Sequence, residues 1–525
     1  MRVTLRPARK SRNLRYLDVG VPMRYSLFLG RAAMLGAIMS PVAAAAADTA
    51  PSHDRQAIAA AGQALDARDC VKVAAILAPL LAAPPAAEGR DVADAFDISI
   101  RCALGASDLA KATDFAGRAI AVPAASDYAW HMAIGLNFNA GKFGAGIDAI
   151  ERMRAEGRGA AFNSIDVKWL MQALFALQKS GDDANETRLL RVMADPAYNP
   201  DDVQAHIEGV GDYARTLYAR KLLAAGKRDE ARAIVSDIQG YDSMAQVAFD
   251  PALRALLGHP VDLRAVAEAD LVRHRALLDR YPQALSAIVV VSFDLRRLGR
   301  YDEDIAFLTA AIPAVAKPSD FDDADEMVPW FWNALGYGYY MTGKYDAMVA
   351  AFARGNWPNK AGLPNVELSL NLAEYQVDFN RPKDALATLA PFNGGIGMTP
   401  PGLMRFHLLH GCAQAELGDL AAARADLAYA QAHEKDNARR LAELELCVGE
   451  EDAAAASYIR QLQDTNRLTR QSAIIALADY DPPDPRAPKS PFADREERVR
   501  KRADVDAALR AAVGGPVRVR LQVEP

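Results

Sequence analysis

Along most of this chain, apolar side chains recur three and four residues apart. That spacing marks helices with one buried face. The pattern is sharpest between Trp332 and Phe352. Trp332, Leu335, Gly336 and Tyr339 fall on one face of a first helix. Tyr345, Met348 and Phe352 fall on one face of a second, and Gly343 stands between the two sets. Gly336 lacks a side chain, so the partner helix can approach closely there. Gly343 supplies the positive φ that ends the first helix.

The same phasing recurs along the chain. Turns are predicted at Gly141, Gly226, Gly299, Asn380 and Gly418, with weaker copies near Arg68, Ser107, Gly181 and Gly449. Most turns are roughly 31–45 residues apart, and the interval from Arg228 to Tyr301 is about twice that. An eroded repeat is therefore expected within 245–280, giving ten or eleven helix–turn–helix units over about 54–470.

The unit resembles the tetratricopeptide repeat. Trp332, Leu335, Gly336 and Tyr339 match that family's W-x2-L-G-x2-Y pattern, although Met348 stands where alanine is usual. The resemblance implies an all-α, right-handed α-solenoid of tandem repeats that acts as a binding scaffold and carries no catalysis. The expected organisation is repeats over 48–245, a degenerate repeat or junction over 246–282, and repeats over 283–470. A Pro-rich connector, a charged helix and a strand-like tail follow over 471–525. An array of this kind escapes the size limit of a single core, because each unit packs only on its neighbours.

Residues 1–47 carry eight basic side chains and one acid, then the apolar run 32–39 and small residues up to Ala47. That order reads as a secretory signal cleaved near Ala47, with Met23 as an alternative start. The expected location is a bacterial periplasm. An Arg-rich organellar transit peptide is the competing reading. The remaining chain carries a net charge of about −13, a poor match for phosphate backbones, so nucleic acid is not an expected partner. Cys70, Cys102, Cys412 and Cys447 form two pairs, each about one repeat apart. In an oxidising compartment each pair fits a disulfide, and four small buried apolar residues is the other reading.

The chain offers little catalytic chemistry. Gly338 to Lys344 has the spacing of a phosphate loop, but Tyr345 replaces the Ser/Thr that would hold magnesium. His407 and His410 could share a metal from one helix face, but they occupy core-type positions. No metal or cofactor is expected. Asp322, Asp323, Asp325 and Glu326 suit the N-terminus of the helix that carries Trp330. Beside Pro329 to Trp332, they also invite an alternative, an α/α-toroid polysaccharide-active enzyme.

In a solenoid the first helix of each unit lines the concave face. The inward positions project to Tyr128, His131, Met171, Phe175, Tyr213, Arg220, Phe293, Arg296, Arg297, Trp330, Asn333, Tyr337 and Tyr340. Aromatics and arginine are typical of binding hot spots. Trp330, Tyr337 and Tyr340 are expected to be surplus to the repeat's own packing. The expected partner is a protein or peptide, with a polysaccharide as the second candidate.

Overall fold

The computed structural model describes residues 53–82, 90–122, 124–357, 362–393, 395–515, 518–519 and 521. The predicted signal over 1–47 lies outside them. The described chain is all-α, an α-solenoid of tandem helix–turn–helix repeats with 28 α-helices and two two-residue strands. Contacts divide the described residues into two units, one up to Asp237 and one from Ile238 onward.

The first unit pairs α1 (His53–Asp66) with α2 (Cys70–Ala82), α3 (Arg90–Gly105) with α4 (Leu109–Ala119), and α5 (Asp127–Asn139) with α6 (Phe143–Ala155). After the short α7 (Gly159–Asn163), α8 (Val167–Ser180) pairs with α9 (Asp183–Met193). After the short α10 (Val203–Ile207), α11 (Val210–Ala224) pairs with α12 (Arg228–Ser236).

The second unit opens with α13 (Tyr241–Phe249), α14 (Pro251–Leu257) and α15 (Leu263–Arg280). Five hairpins follow: α16 (Leu285–Arg297) with α17 (Tyr301–Val315), α18 (Ala324–Met341) with α19 (Tyr345–Gly355), α20 (Val366–Asp378) with α21 (Pro382–Leu389), α22 (Pro400–Glu416) with α23 (Leu420–Ala432), and α24 (Ala438–Val448) with α25 (Glu451–Gln463). Then come α26 (Arg467–Leu477), β1 (Asp479–Tyr480), α27 (Ala493–Arg500), α28 (Ala503–Val513) and β2 (Arg518–Val519).

Each of the ten hairpins has one predicted turn residue at its centre, with φ between 56° and 87°. Seven of these are glycine. Arg68, Ser107 and Asn380 take the same left-handed conformation at a steric cost that glycine avoids. The close approach at Gly336 is also present, since a Cβ there would lie 2.6 Å from the Phe352 ring. The stretch expected to hold an eroded repeat contains α13 to α15, with a left-handed Gly258 between α14 and α15.

Within the second unit each first helix from α16 to α24 packs on the next first helix, while successive second helices barely touch. The first helices therefore form the inner, tighter side. The array curls until α13 meets α26, where Arg467 donates to Gln246 at 3.3 Å.

The chain after α26 then runs back along the turn side of the same unit. Asp481 lies 3.6 Å from Arg264. Arg486 pairs with Asp302 at 2.9 Å, and its carbonyl sits over Gly343. Arg495 donates to the Leu446 and Cys447 carbonyls at the end of α24. The predicted charged helix is two helices, α27 and α28, whose Val499, Val505 and Val513 are buried. The strand-like tail docks on its own chain, with β2 parallel to β1. Both cysteine pairs are disulfides, Cys70–Cys102 and Cys412–Cys447, each bridging adjacent hairpins.

Candidate partner-binding face

The inner face of the second unit begins at the C-terminal end of α16. The Arg297 guanidinium lies 3.9 Å from the Tyr241 ring centre and 4.4 Å from that of Phe293, and it donates to Asp242 at 2.9 Å. Arg296 sits 4.7 Å over Tyr337. Tyr337 packs at 5.8 Å on Tyr340, which stacks at 4.3 Å on Tyr375. The Tyr340 hydroxyl donates to Asp378 at 2.8 Å, and Asn371 donates to Asn333 at 2.7 Å. Phe293, Arg297, Asn333, Tyr337 and Tyr340 thus belong to one ladder of contacts running from α16 to α20.

The burial of this ladder differs from the sequence expectation. Tyr337 and Tyr340 are 4% and 7% exposed, inside a cluster with Tyr301, Phe352 and Tyr375. Trp330 is half-buried against the same cluster. Tyr337 and Tyr340 are not surplus to packing, because the next repeat presents Tyr375 and Phe379 beside them. Burial and then the Asp378 carboxylate push the Tyr340 hydroxyl well above its ordinary pKa. Burial, followed by the negative charge of Glu374, raises Asp378 to about 7.

In the first unit the predicted residues sit on three separate first helices. On α5, Tyr128 is half-buried with Arg101 4.5 Å over its ring, and burial raises its pKa. The His131 Nε2 lies 2.9 Å from the Ala161 carbonyl, which commits that ring to backbone. Phe175 on α8 is half-buried, as is Arg220 on α11, while Tyr213 is buried.

No family model matches the chain. No curated protein matches it either. Among solved structures, the APC/C hetero-tetramer Cut9–Hcn1 aligns at a TM-score of 0.28 and 10% identity, over 88% of this chain and 97% of that one. The P58(IPK) TPR domain aligns at 0.19 and 12% identity, over 85% and 98%. Naa15/Naa10 bound to HypK-THB aligns at 0.23 and 14% identity, over 81% and 70%. TM-scores this low carry no argument, and the fold rests on the helices and turns themselves.

Sequence projection missed a second part of the inner face. Counting back six residues from each turn residue gives Phe293, Tyr337, Glu374, Cys412 and Glu443. The inner row therefore changes from aromatic to acidic along the unit. Glu374 pairs with Arg405 and, at 3.7 Å, with Arg440. Glu443 binds Arg439 at 2.6 Å and Arg440 at 2.8 Å. Burial works to raise Glu374, but Arg405 and Arg440 overcome it and hold the carboxyl at about 2. The signal that could have found these residues was the constant distance from the turn.

Other singled-out residues have structural partners. His407 and His410 each place Nδ1 2.7 Å from a different oxygen of Asp426, an acceptor that fixes both as Nδ1–H donors. His407 also stacks on Tyr429 at 3.8 Å. Asp323 accepts from the Leu285 and Ser286 amides, so it caps α16, and Asp325 and Glu326 open α18. Gly338 lies within α18, so the Gly338 to Lys344 spacing spans a helix end and a turn. Among the described residues no helix is long and apolar enough to cross a membrane.

Proposed function

We propose that this chain is a non-catalytic scaffold of the cell envelope that holds a partner protein or peptide on its inner-facing first helices. The observation that carries the reading is the aromatic and arginine side chains on the inner first helices of the second unit, where Phe293 and Trp330 are only half-buried, together with Phe175 half-buried on a first helix of the first unit. Such residues give large contact area at low entropy cost. Two inter-repeat disulfides suit an oxidising compartment, in keeping with the basic, apolar and small-residue order of the first 47 residues. Asp323 caps α16, the structural use of an acid that the α/α-toroid enzyme reading would have taken as catalytic.

The test is an affinity pull-down from envelope extract with the mature chain and a Phe175→Ala/Phe293→Ala/Trp330→Ala variant of matched helicity. The proposal expects a partner held by the first and lost by the second. Equal capture by both would reject the face. Capture of no protein by either would reject the protein-binding reading and favour a glycan.

A further inference from the structure

The segment 481–492, Asp-Pro-Pro-Asp-Pro-Arg-Ala-Pro-Lys-Ser-Pro-Phe, contains five prolines and forms neither helix nor strand. It is fastened at both ends. On one side β1 pairs with β2, and the Asp481 amide donates to the Leu521 carbonyl. On the other, Phe492 packs into the core cluster of α20 to α24, followed by α27 and α28 on α25 and α26. Between these anchors no residue is buried.

What the segment lies on is specific. Ala487 packs on the buried cluster that contains Tyr301, Tyr337, Tyr340, Phe352 and Tyr375. Arg486 makes a two-pronged contact with Asp302, at 3.0 and 2.9 Å. Its carbonyl fills the space left by the missing side chain of Gly343. The Ser490 hydroxyl is beside Asp378 and acts to lower that carboxyl's pKa against burial. Between its prolines the segment makes a turn in which the Ala487 amide donates to the Asp484 carbonyl at 2.9 Å and Asp484 also holds the Arg486 side chain. A chain stiffened in this way loses little entropy on docking. Arg486 and Asp302 are both exposed, so solvent screens their pairing, and the middle of the strap is lightly held while its ends are firmly held.

We propose that residues 482–491 are an internal occupant of a peptide-binding strip on the turn side of the second unit, and that this strip takes a partner's proline-rich segment of the form Arg-small-Pro-x-Ser. The inference rests on the scaffold reading and deepens it. Arginine meets Asp302, the small residue passes the aromatic cluster beside Gly343, and the hydroxyl reaches Asp378. The partner competes with the strap, which lifts as a loop between its two anchors.

The test uses the full chain with residues 482–491 replaced by a Gly-Ser stretch of equal length, and a fluorescent peptide of residues 480–493 as the probe. The strap-replaced chain should bind the peptide with a micromolar Kd. Wild type should bind it at least about 30-fold more weakly, since a tethered occupant acts at roughly millimolar effective concentration, about 30 times a Kd in the tens of micromolar. Asp302→Ala in the strap-replaced chain, or Arg486→Ala in the peptide, should each weaken binding about 5-fold. If the strap-replaced chain misfolds, Arg486→Ala in the intact chain, which loosens the strap and leaves the strip unaltered, should bind more of the unsubstituted peptide than wild type. A folded strap-replaced chain that ignores the peptide overturns the proposal, as does equal binding by wild type. If the envelope partner is captured while the peptide fails to bind, this inference falls and the scaffold reading stands.

Discussion

Alanine at Gly343 and at Gly418 should separate the cost of a left-handed turn from the cost of displacing the strap. The two glycines have φ of 71° and 82° and sit at equivalent hairpin turns. Forcing a non-glycine residue into that region costs about 1–2 kcal/mol, partly offset by about 0.4–1 kcal/mol from a less flexible unfolded chain. Both variants share this loss. They differ in what the new Cβ meets: at Gly418 there is nothing within 4 Å, and at Gly343 the Arg486 carbonyl oxygen lies at 2.5 Å. That oxygen belongs to backbone and cannot rotate away. The strap must retreat by about 0.7 Å or more, at the overpacking cost of about 1–3 kcal/mol. An added 1–2 kcal/mol raises the open population about 5–30-fold. Amide exchange over 484–491 and tryptic cleavage after Arg486 and Lys489 read this directly. Gly343→Ala should speed both, and Gly418→Ala should leave both at wild-type rates. Equal rates in the two variants would refute the placement of the strap.

Other outcomes follow from the same geometry. Asp378 faces Tyr340, Ser490, Glu374 and Glu496 and is raised from 3.8 to about 7. The folded unit therefore keeps a proton that the unfolded chain releases, so its stability in urea should fall as pH rises from about 4 to about 7. Asp378→Asn should flatten that profile, and an unchanged profile would contradict the assignment. Gly336→Ala places a Cβ 2.6 Å from the Phe352 ring and should cost about 1–3 kcal/mol in urea unfolding. Gly117→Ala, in open space within α4, should gain about 0.5–1 kcal/mol. The disulfides close loops of 32 and 35 residues. Reducing either should lower the stability of its unit by about 3–4 kcal/mol on the chain-entropy estimate, and unchanged melting in reductant would count against the pairing.

Eight of the ten hairpin turns were legible because a positive φ is needed there and glycine or asparagine leaves a mark that survives the loss of the rest of the motif, while Arg68 and Ser107 were legible only from their place in the repeat spacing. Gly336 was legible for a similar reason, since only the absence of a side chain permits the approach of Phe352. The burial of Tyr337 and Tyr340 was not legible. It depends on Tyr375 and Phe379 from the next repeat, whose register the periodicity of one helix does not fix. The charged row of Glu374, Arg405, Arg440 and Glu443 escaped because a search for aromatic surplus passes over acids that look like ordinary surface residues. The strap escaped because its contacts join residues as far apart as Asp302 and Arg486, and a proline-rich stretch read alone is only a connector.

Site-specific photocross-linking in living cells tests the central claim most directly. A photoreactive phenylalanine analogue at Phe175 or Phe293 reports on the inner face, and one at Arg232 or Arg424, both exposed on second helices, reports on the outer face. The account predicts a discrete protein adduct from the inner positions and none from the outer ones. Adducts from the outer positions alone would contradict it.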